Sequence, residues 1–221
     1  VANQTVYSAD GDDGTFHALD LKTGESKWNV SLNSGTRTTH PAIYGSTAYV
    51  TVEDTLHAIN LTTQTTTWTR TTNASIAGDA TATSAGVYVT TSGANSTVVA
   101  YSHTGEKRWS RETGGYSMAS PTVADETVYV GDTYGTILAL DAQTGSVDWE
   151  YTDGRGWFLN EVVAANNTLY ASGERGTVYA INPEDGTERW RTTIAPNATG
   201  KIEHSPPVVV NTSIYITTMN G

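Results

Sequence analysis

Five tryptophans, Trp28, Trp68, Trp109, Trp149 and Trp190, fall 40, 41, 40 and 41 residues apart, and each closes a variant of one phrase. At 18–28 the phrase reads Ala-Leu-Asp-Leu-Lys-Thr-Gly-Glu-Ser-Lys-Trp, and it returns at 58–68, 100–109, 139–149 and 180–190. A fixed period near 40 with one aromatic per unit marks a β-propeller, one sheet per unit. The expected fold is therefore all-β, with four-stranded antiparallel blades of about 40–41 residues. In 221 residues five repeats are visible, an arc of a larger ring.

Each unit divides into four short strands, A to D. Strand A starts at a Pro or its equivalent (Pro41, Ala80, Pro121, Val162, Pro206), where a missing donor does no harm. Strand B carries Tyr7, Tyr49, Tyr88, Tyr129, Tyr170 or Tyr215 among β-formers. Strand C ends in the repeated phrase, whose Asp or Asn caps the C–D turn and whose Gly takes the left-handed conformation. Gln64 replaces that Gly in the second unit and the third unit lacks one turn residue, so both turns are expected to differ in geometry.

The units read as 1–34, 38–72, 76–114, 117–153 and 158–195, with a partial one at 203–221, in a single partial propeller domain. The chain opens at the tail of a strand A (Val1-Ala2) and closes after a strand B (Ile214 to Thr218). Strand A near Ser205 completing the first sheet would leave the strand of Tyr215 surplus, so a fragment of a longer ring is the expectation. Open arcs leave raw sheet edges that invite pairing with another chain.

Charge narrows the partners. There are 23 Asp and Glu against 12 Lys and Arg, of which only four are Lys, giving a net charge of −11. That balance argues against nucleic acid and anionic membranes. Lys-poor acidity also fits a halophilic, archaeal-type surface that stays soluble in salt. Cysteine is absent, and no apolar run is long enough to span a membrane.

Eight of thirteen asparagines lie in Asn-x-Ser/Thr: Asn3, Asn29, Asn60, Asn73, Asn95, Asn166, Asn197 and Asn211. Chance gives roughly three in a chain this rich in Ser and Thr. The excess points to a glycosylated protein, extracellular or on the cell surface; a Thr-rich β-surface that generates sequons incidentally is the alternative. Asn3, Asn166 and Asn211 each lie four residues before a strand-B tyrosine, which places them on one face of the ring.

The recurring Ala-x-Asp-x-x-Thr-Gly-x-x-x-Trp resembles the tryptophan-docking motif of pyrroloquinoline-quinone-type propeller repeats. The match is complete at 18–28 and 139–149, nearly so at 180–190, and weaker at 58–68 and 100–109. The resemblance implies seven or eight blades and one of two trades. One is a quinone-dependent dehydrogenase with calcium at the axis; the other is a cofactor-free scaffold such as the bacterial outer-membrane-assembly lipoprotein. Fold alone does not choose. The vicinal cysteine pair of the dehydrogenases is missing, and no cofactor ligand transfers residue by residue. The resemblance is closer to the non-catalytic members.

Ligands of propellers gather where strand A begins. His40, Asp79, Ser120, Glu161 and His204 stand there, with Asn160 and Ser205 beside them and Arg37, Tyr116, Arg155, Trp157 and Lys201 slightly earlier. Two histidines and two carboxylates on one axis are metal-type donors, although water-solvated channel residues are the plainer reading. No catalytic, cofactor or metal residue is assigned. Trp157, outside the 40-residue rhythm and followed by Phe158, is either a stacking platform for a carbohydrate, small molecule or protein, or a plug of the channel mouth. Asp10-Gly11-Asp12-Asp13-Gly14 lacks the distal Glu of a calcium loop and reads as a polar hairpin.

The sequence thus predicts a non-catalytic propeller that binds or assembles a protein partner or further copies of itself. The runner-up is a piece of a quinone-dependent dehydrogenase, holding pyrroloquinoline quinone and calcium. A third reading is a structural subunit that self-assembles through open sheet edges.

Overall fold

A computed structural model describes residues 1–10, 14–32, 38–117, 119–154, 157–158, 161–173, 176–194 and 206–217. Its strands form successive antiparallel sheets in chain order. The first blade has three strands, β1 (Thr5–Asp10), β2 (Thr15–Asp20) and β3 (Ser26–Ser31). The second comprises β4 (Ala42–Tyr44), β5 (Thr47–Val52), β6 (Thr55–Asn60) and β7 (Thr65–Thr71). The third comprises β8 (Thr81–Thr83), β9 (Gly86–Thr90), β10 (Thr97–Tyr101) and β11 (Lys107–Glu112). The fourth holds β12 (Thr122–Ala124), β13 (Thr127–Gly131), β14 (Thr136–Asp141) and β15 (Val147–Thr152). The fifth holds β16 (Val163–Ala165), β17 (Thr168–Gly173), β18 (Thr177–Ile181) and β19 (Glu188–Thr193). A last hairpin, β20 (Val208–Val210) and β21 (Ser213–Tyr215), stands as a two-stranded sheet. Strand β20 pairs with β21 and not with the first blade, and an unclosed series of sheets fits an arc of a propeller.

The middle strands are buried on both faces because each blade is sandwiched between neighbours. Strands such as β9 (Gly-Val-Tyr-Val-Thr) are therefore continuous apolar runs, while the outer strand β11 exposes everything except its tryptophan, and β19 exposes its tryptophan too. The core is four inter-blade clusters, one per junction from the first blade to the fifth.

The register decodes the repeated phrase. Its Ala lies directly across from its Trp in all five blades: Ala18 and Trp28, Ala58 and Trp68, Ala100 and Trp109, Ala139 and Trp149, Ala180 and Trp190. A methyl group opposite the indole leaves room for the ring, and a register shift follows each Ala. The Asp or Asn closes the turn by accepting backbone N–H groups. Asp141 Oδ1 takes Gln143 N (3.1 Å) and Thr144 N (2.7 Å), and Asn60 Oδ1 takes Thr62 N (2.8 Å) and Thr63 N (2.9 Å). Hydrogen bonds from the Thr144 hydroxyl and backbone hold the Asp141 carboxyl below the ordinary aspartate range.

The glycine has two duties. It is left-handed (Gly24 +73°, Gly105 +83°, Gly145 +70°, Gly186 +71°), and at three of the four it is the seat for the preceding blade's indole. A Cβ on Gly105, Gly145 or Gly186 would lie 2.7, 2.6 and 2.6 Å from the rings of Trp68, Trp109 and Trp149. Each ring is then pinned by its nitrogen: Trp68 donates to His103 O (3.0 Å), Trp109 to Ala142 O (3.1 Å) and Trp149 to Pro183 O (2.8 Å).

The two turns expected to deviate divide. Gln64 adopts the same left-handed conformation (φ +58°) and donates to Asn60 O (2.8 Å) as Gly145 does to Asp141 O, so that turn keeps its geometry. The shorter third turn does differ, closing from Gly105 N to Ser102 O (2.9 Å), one residue tighter.

Candidate binding face at the strand-A end

In an A–B–C–D antiparallel blade, the start of strand A, the B–C turn and the D–A connection share one end. His40, Asp79 and Ser120 occupy equivalent places there, each just before a strand A, and hydrogen bonds join them across three blades. His40 N donates to Asp79 Oδ1 (2.9 Å), the His40 ring Nδ1 lies 3.2 Å from Asp79 Oδ2, and Asp79 N donates to Ser120 Oγ (2.9 Å). Gly78 makes the last step possible, since a Cβ there would sit 2.6 Å from Ser120 Oγ. Threonines repeat the stitch: Thr51 Oγ1 donates to Gly78 O (3.3 Å), Thr81 Oγ1 to Pro121 O (2.5 Å) and Thr122 Oγ1 to Val162 O.

Glu161 is half-buried at the next equivalent place, and no hydrogen bond links its side chain to the other three. His204 lies outside the described residues, as do Arg37, Asn160, Arg155, Lys201, Ser205 and the middle of the Asp10–Gly14 hairpin. No group of three or more His, Cys, Asp or Glu among the described residues is placed to hold a metal ion.

The out-of-rhythm aromatics part ways. Phe158 is buried between the fourth and fifth blades, edge-on to Tyr179 (5.1 Å between centroids). Trp157 keeps 39% of its surface exposed. Its loop is tied down by Phe158 N donating to Asp132 O (2.9 Å), in the β13–β14 turn. The preceding D–A connection is tied to the same turn, by Thr133 N to Tyr116 O (2.9 Å) and Tyr116 N to Thr133 Oγ1 (3.2 Å). Tyr116 is 38% exposed and Tyr134, within the turn, 68%.

Sequence reasoning missed Asp132 and Tyr134. The visible signal was an aromatic in a turn where the other units put small or polar residues. Asp132 is only 3% exposed, and its Oδ1 accepts Tyr134 N (2.8 Å) and Thr136 N (3.0 Å). Burial pushes its carboxyl above the ordinary aspartate value, those two N–H bonds partly offset this, and the Glu150 carboxylate pushes it further up.

The opposite end carries three of the sequons. Asn3, Asn166 and Asn211 sit exposed in A–B turns with φ of 49°, 51° and 54°. Asp125 (46°) and Gly45 (59°) fill that place in other blades. A left-handed turn selects Asn, Asp or Gly, and the following strand begins with Thr or Ser, so these sequons satisfy turn chemistry as well. Asn60 likewise serves its C–D turn. Asn29 is exposed on β3, Asn73 and Asn95 are exposed on connections, and Asn197 lies outside the described residues.

The second, third and fourth blades each seat their indole on the glycine of the next blade. A family model described as outer membrane protein assembly factor BamB matches residues 12–162 and again 53–221. The chain belongs to this family. Among solved structures, this BamB-family chain is similar to BamB from Moraxella catarrhalis (TM-score 0.75, 20% identity), covering 98% of this chain and 67% of that one. It is also similar to the quinohemoprotein alcohol dehydrogenase from Comamonas testosteroni (0.79, 18%), covering 95% and 45%. A computationally designed protein, Ika8, matches at 0.82 with 13% identity, over 100% and 67%. At such identities the likeness establishes the fold. No curated protein matches in sequence. The chain spans about two thirds of the BamB structure and under half of that dehydrogenase.

Proposed function

We propose that this chain is the blade array of a non-catalytic propeller, binding or assembling a protein partner at the strand-A end. The observation that carries this reading is the commitment of the axial polar groups. Both oxygens of Asp79 face His40, and Ser120 Oγ takes Asp79 N, so these side chains join blades together. A quinone with calcium would need such oxygens turned to a cation. Together with the absence of cysteine, this pairing supports the cofactor-free reading over the dehydrogenase.

The end face instead offers exposed aromatic rings on loops hydrogen-bonded to a rigid turn, a composition suited to protein contacts. An extracellular or cell-surface place, glycans on some sequons and a salt-adapted acidic surface belong to the same proposal. No helix among the described residues is long and apolar enough to cross a membrane.

The test is to add pyrroloquinoline quinone and calcium to the protein and follow tryptophan fluorescence. The signal is expected to stay flat; saturable quenching would transfer the chain to the dehydrogenase reading. Intact mass of natively produced protein tests the glycans, which are expected as mass above the bare polypeptide.

A further inference from the structure

Asp132 is a buried carboxylate, and both hydrogen bonds it accepts from described residues go to one of its two oxygens. Oδ1 holds two backbone N–H groups, whereas Oδ2 has no hydrogen-bond partner among the described residues. Oδ2 lies beside the Gly115 backbone, 2.7 Å from where a Cβ would be, and Tyr134 Cδ2 lies 3.0 Å from the same point. The charged group acting on Asp132 is another anion, Glu150; no basic side chain among the described residues acts on it. The nearby Asp153, whose backbone N donates to Gly135 O (3.0 Å), is already paired with Arg191 at 2.6 Å. A buried charge without a counter-charge is costly, and natural proteins keep such groups paired.

Around this carboxylate the 132–135 turn and two connections fastened to it deliver exposed rings, Tyr134 from the turn and Tyr116 and Trp157 from the connections. Aromatic faces attract cations, more strongly when water is excluded.

We propose that the β13–β14 turn is a binding site for a basic side chain, arginine or lysine, displayed by a partner protein, with Asp132 Oδ2 as the counter-charge and Tyr116, Tyr134 and Trp157 as the walls. The proposal rests on the protein-binding reading above and names the chemistry its partner presents. The planar guanidinium both stacks on rings and bonds a carboxylate, so arginine is the better fit.

The test titrates the 221-residue chain with the tripeptides Gly-Arg-Gly, Gly-Lys-Gly and Gly-Ala-Gly, and with a methyl glucoside, at low salt. Amide signals of Gly115, Tyr134 and Gly135 and tryptophan fluorescence are followed. Gly-Arg-Gly is expected to saturate, with Gly-Lys-Gly weaker and Gly-Ala-Gly silent. Asp132→Asn keeps an acceptor for both backbone N–H groups and is expected to weaken Gly-Arg-Gly at least tenfold. Tyr134→Ala should weaken it several-fold, and the distant Glu106→Gln should leave it unchanged.

Several results would overturn the proposal: silence with all probes, equal response to Gly-Ala-Gly, equal weakening by Glu106→Gln, or a response to the glucoside alone. The broader reading fails by a different result, saturable quinone binding, so the two failures are distinguishable.

Discussion

The junction between the first and second blades and the junction between the third and fourth are built from the same phrase but do not hold alike. In the later junction Trp109 is buried, its ring lies on Gly145, its nitrogen reaches Ala142 O, and Tyr88 OH donates to the same carbonyl (2.9 Å). Arg111, two residues past the indole, adds a bond from Nε to Gly145 O (2.9 Å). In the earlier junction Gln64 stands in the glycine's place, and Trp28 finds no acceptor among the described residues. Trp28 stays half-buried, packed within its own blade against Phe16 (5.7 Å) and Tyr7 (6.0 Å). The loss traces to one residue: Gln64 preserves the turn but not the bare backbone on which an indole rests.

The largest expected effect tests the indoles themselves. Trp109→Ala is expected to destabilise by about 3–5 kcal/mol in urea denaturation, a full core truncation. Trp28→Ala, which removes a half-buried ring without a docking bond, is expected to lose about 1–2 kcal/mol. Equal losses would show that seat and hydrogen bond add nothing to the later junction.

The seat itself comes next. Gly145→Ala must carry a side chain at φ +70° and place it 2.6 Å from the Trp109 ring, a combined penalty of about 2–3 kcal/mol. Gln64→Gly runs the other way: relief of a left-handed non-glycine residue is expected to stabilise by about 1 kcal/mol, read from the same urea midpoint. A destabilised Gln64→Gly would mean the glutamine side chain itself holds the first junction.

The smallest effect is a pH dependence. His57 is 3% exposed, its Nε2 has no hydrogen-bond partner among the described residues, and burial lowers its pKa below 6.5. It pairs across the sheet with Val50, so both face the first junction. Below pH 6.5 the unfolded chain takes up the proton first, so this group removes stability as pH falls from 6.5 toward its folded value. The slope is at most about 1.4 kcal/mol per pH unit. His57→Leu should flatten the decline in melting temperature between pH 7 and 5; an unchanged slope would assign it to other groups.

The sequence announces the blades because their spacing is enforced by covalent repetition: Ala, Asp or Asn, Gly and Trp each solve a problem inside or beside one hairpin. Ala opposite Trp was not foreseen as a packing pair, yet it follows from register once the bulge is known. The candidate face was legible where it reused the period, at His40, Asp79 and Ser120. Asp132 and Tyr134 were not, because their significance arises only when two loops, 40 residues apart in sequence, settle on one turn. The fate of Gln64 was misjudged for a related reason: conformation is local, whereas a seat belongs to the neighbouring blade's ring.

That division of labour gives the array a polarity. Trp68, Trp109 and Trp149 reach forward and Gly105, Gly145 and Gly186 receive from behind, so the third and fourth repeats each own half of two different contacts. A lesion at a seat glycine should loosen the contact with the blade upstream of it and spare the contact with the blade downstream. A repeat excised or transplanted alone would bring one mismatched half to each new neighbour, which makes the pair of adjoining repeats, not the single blade, the smallest exchangeable part.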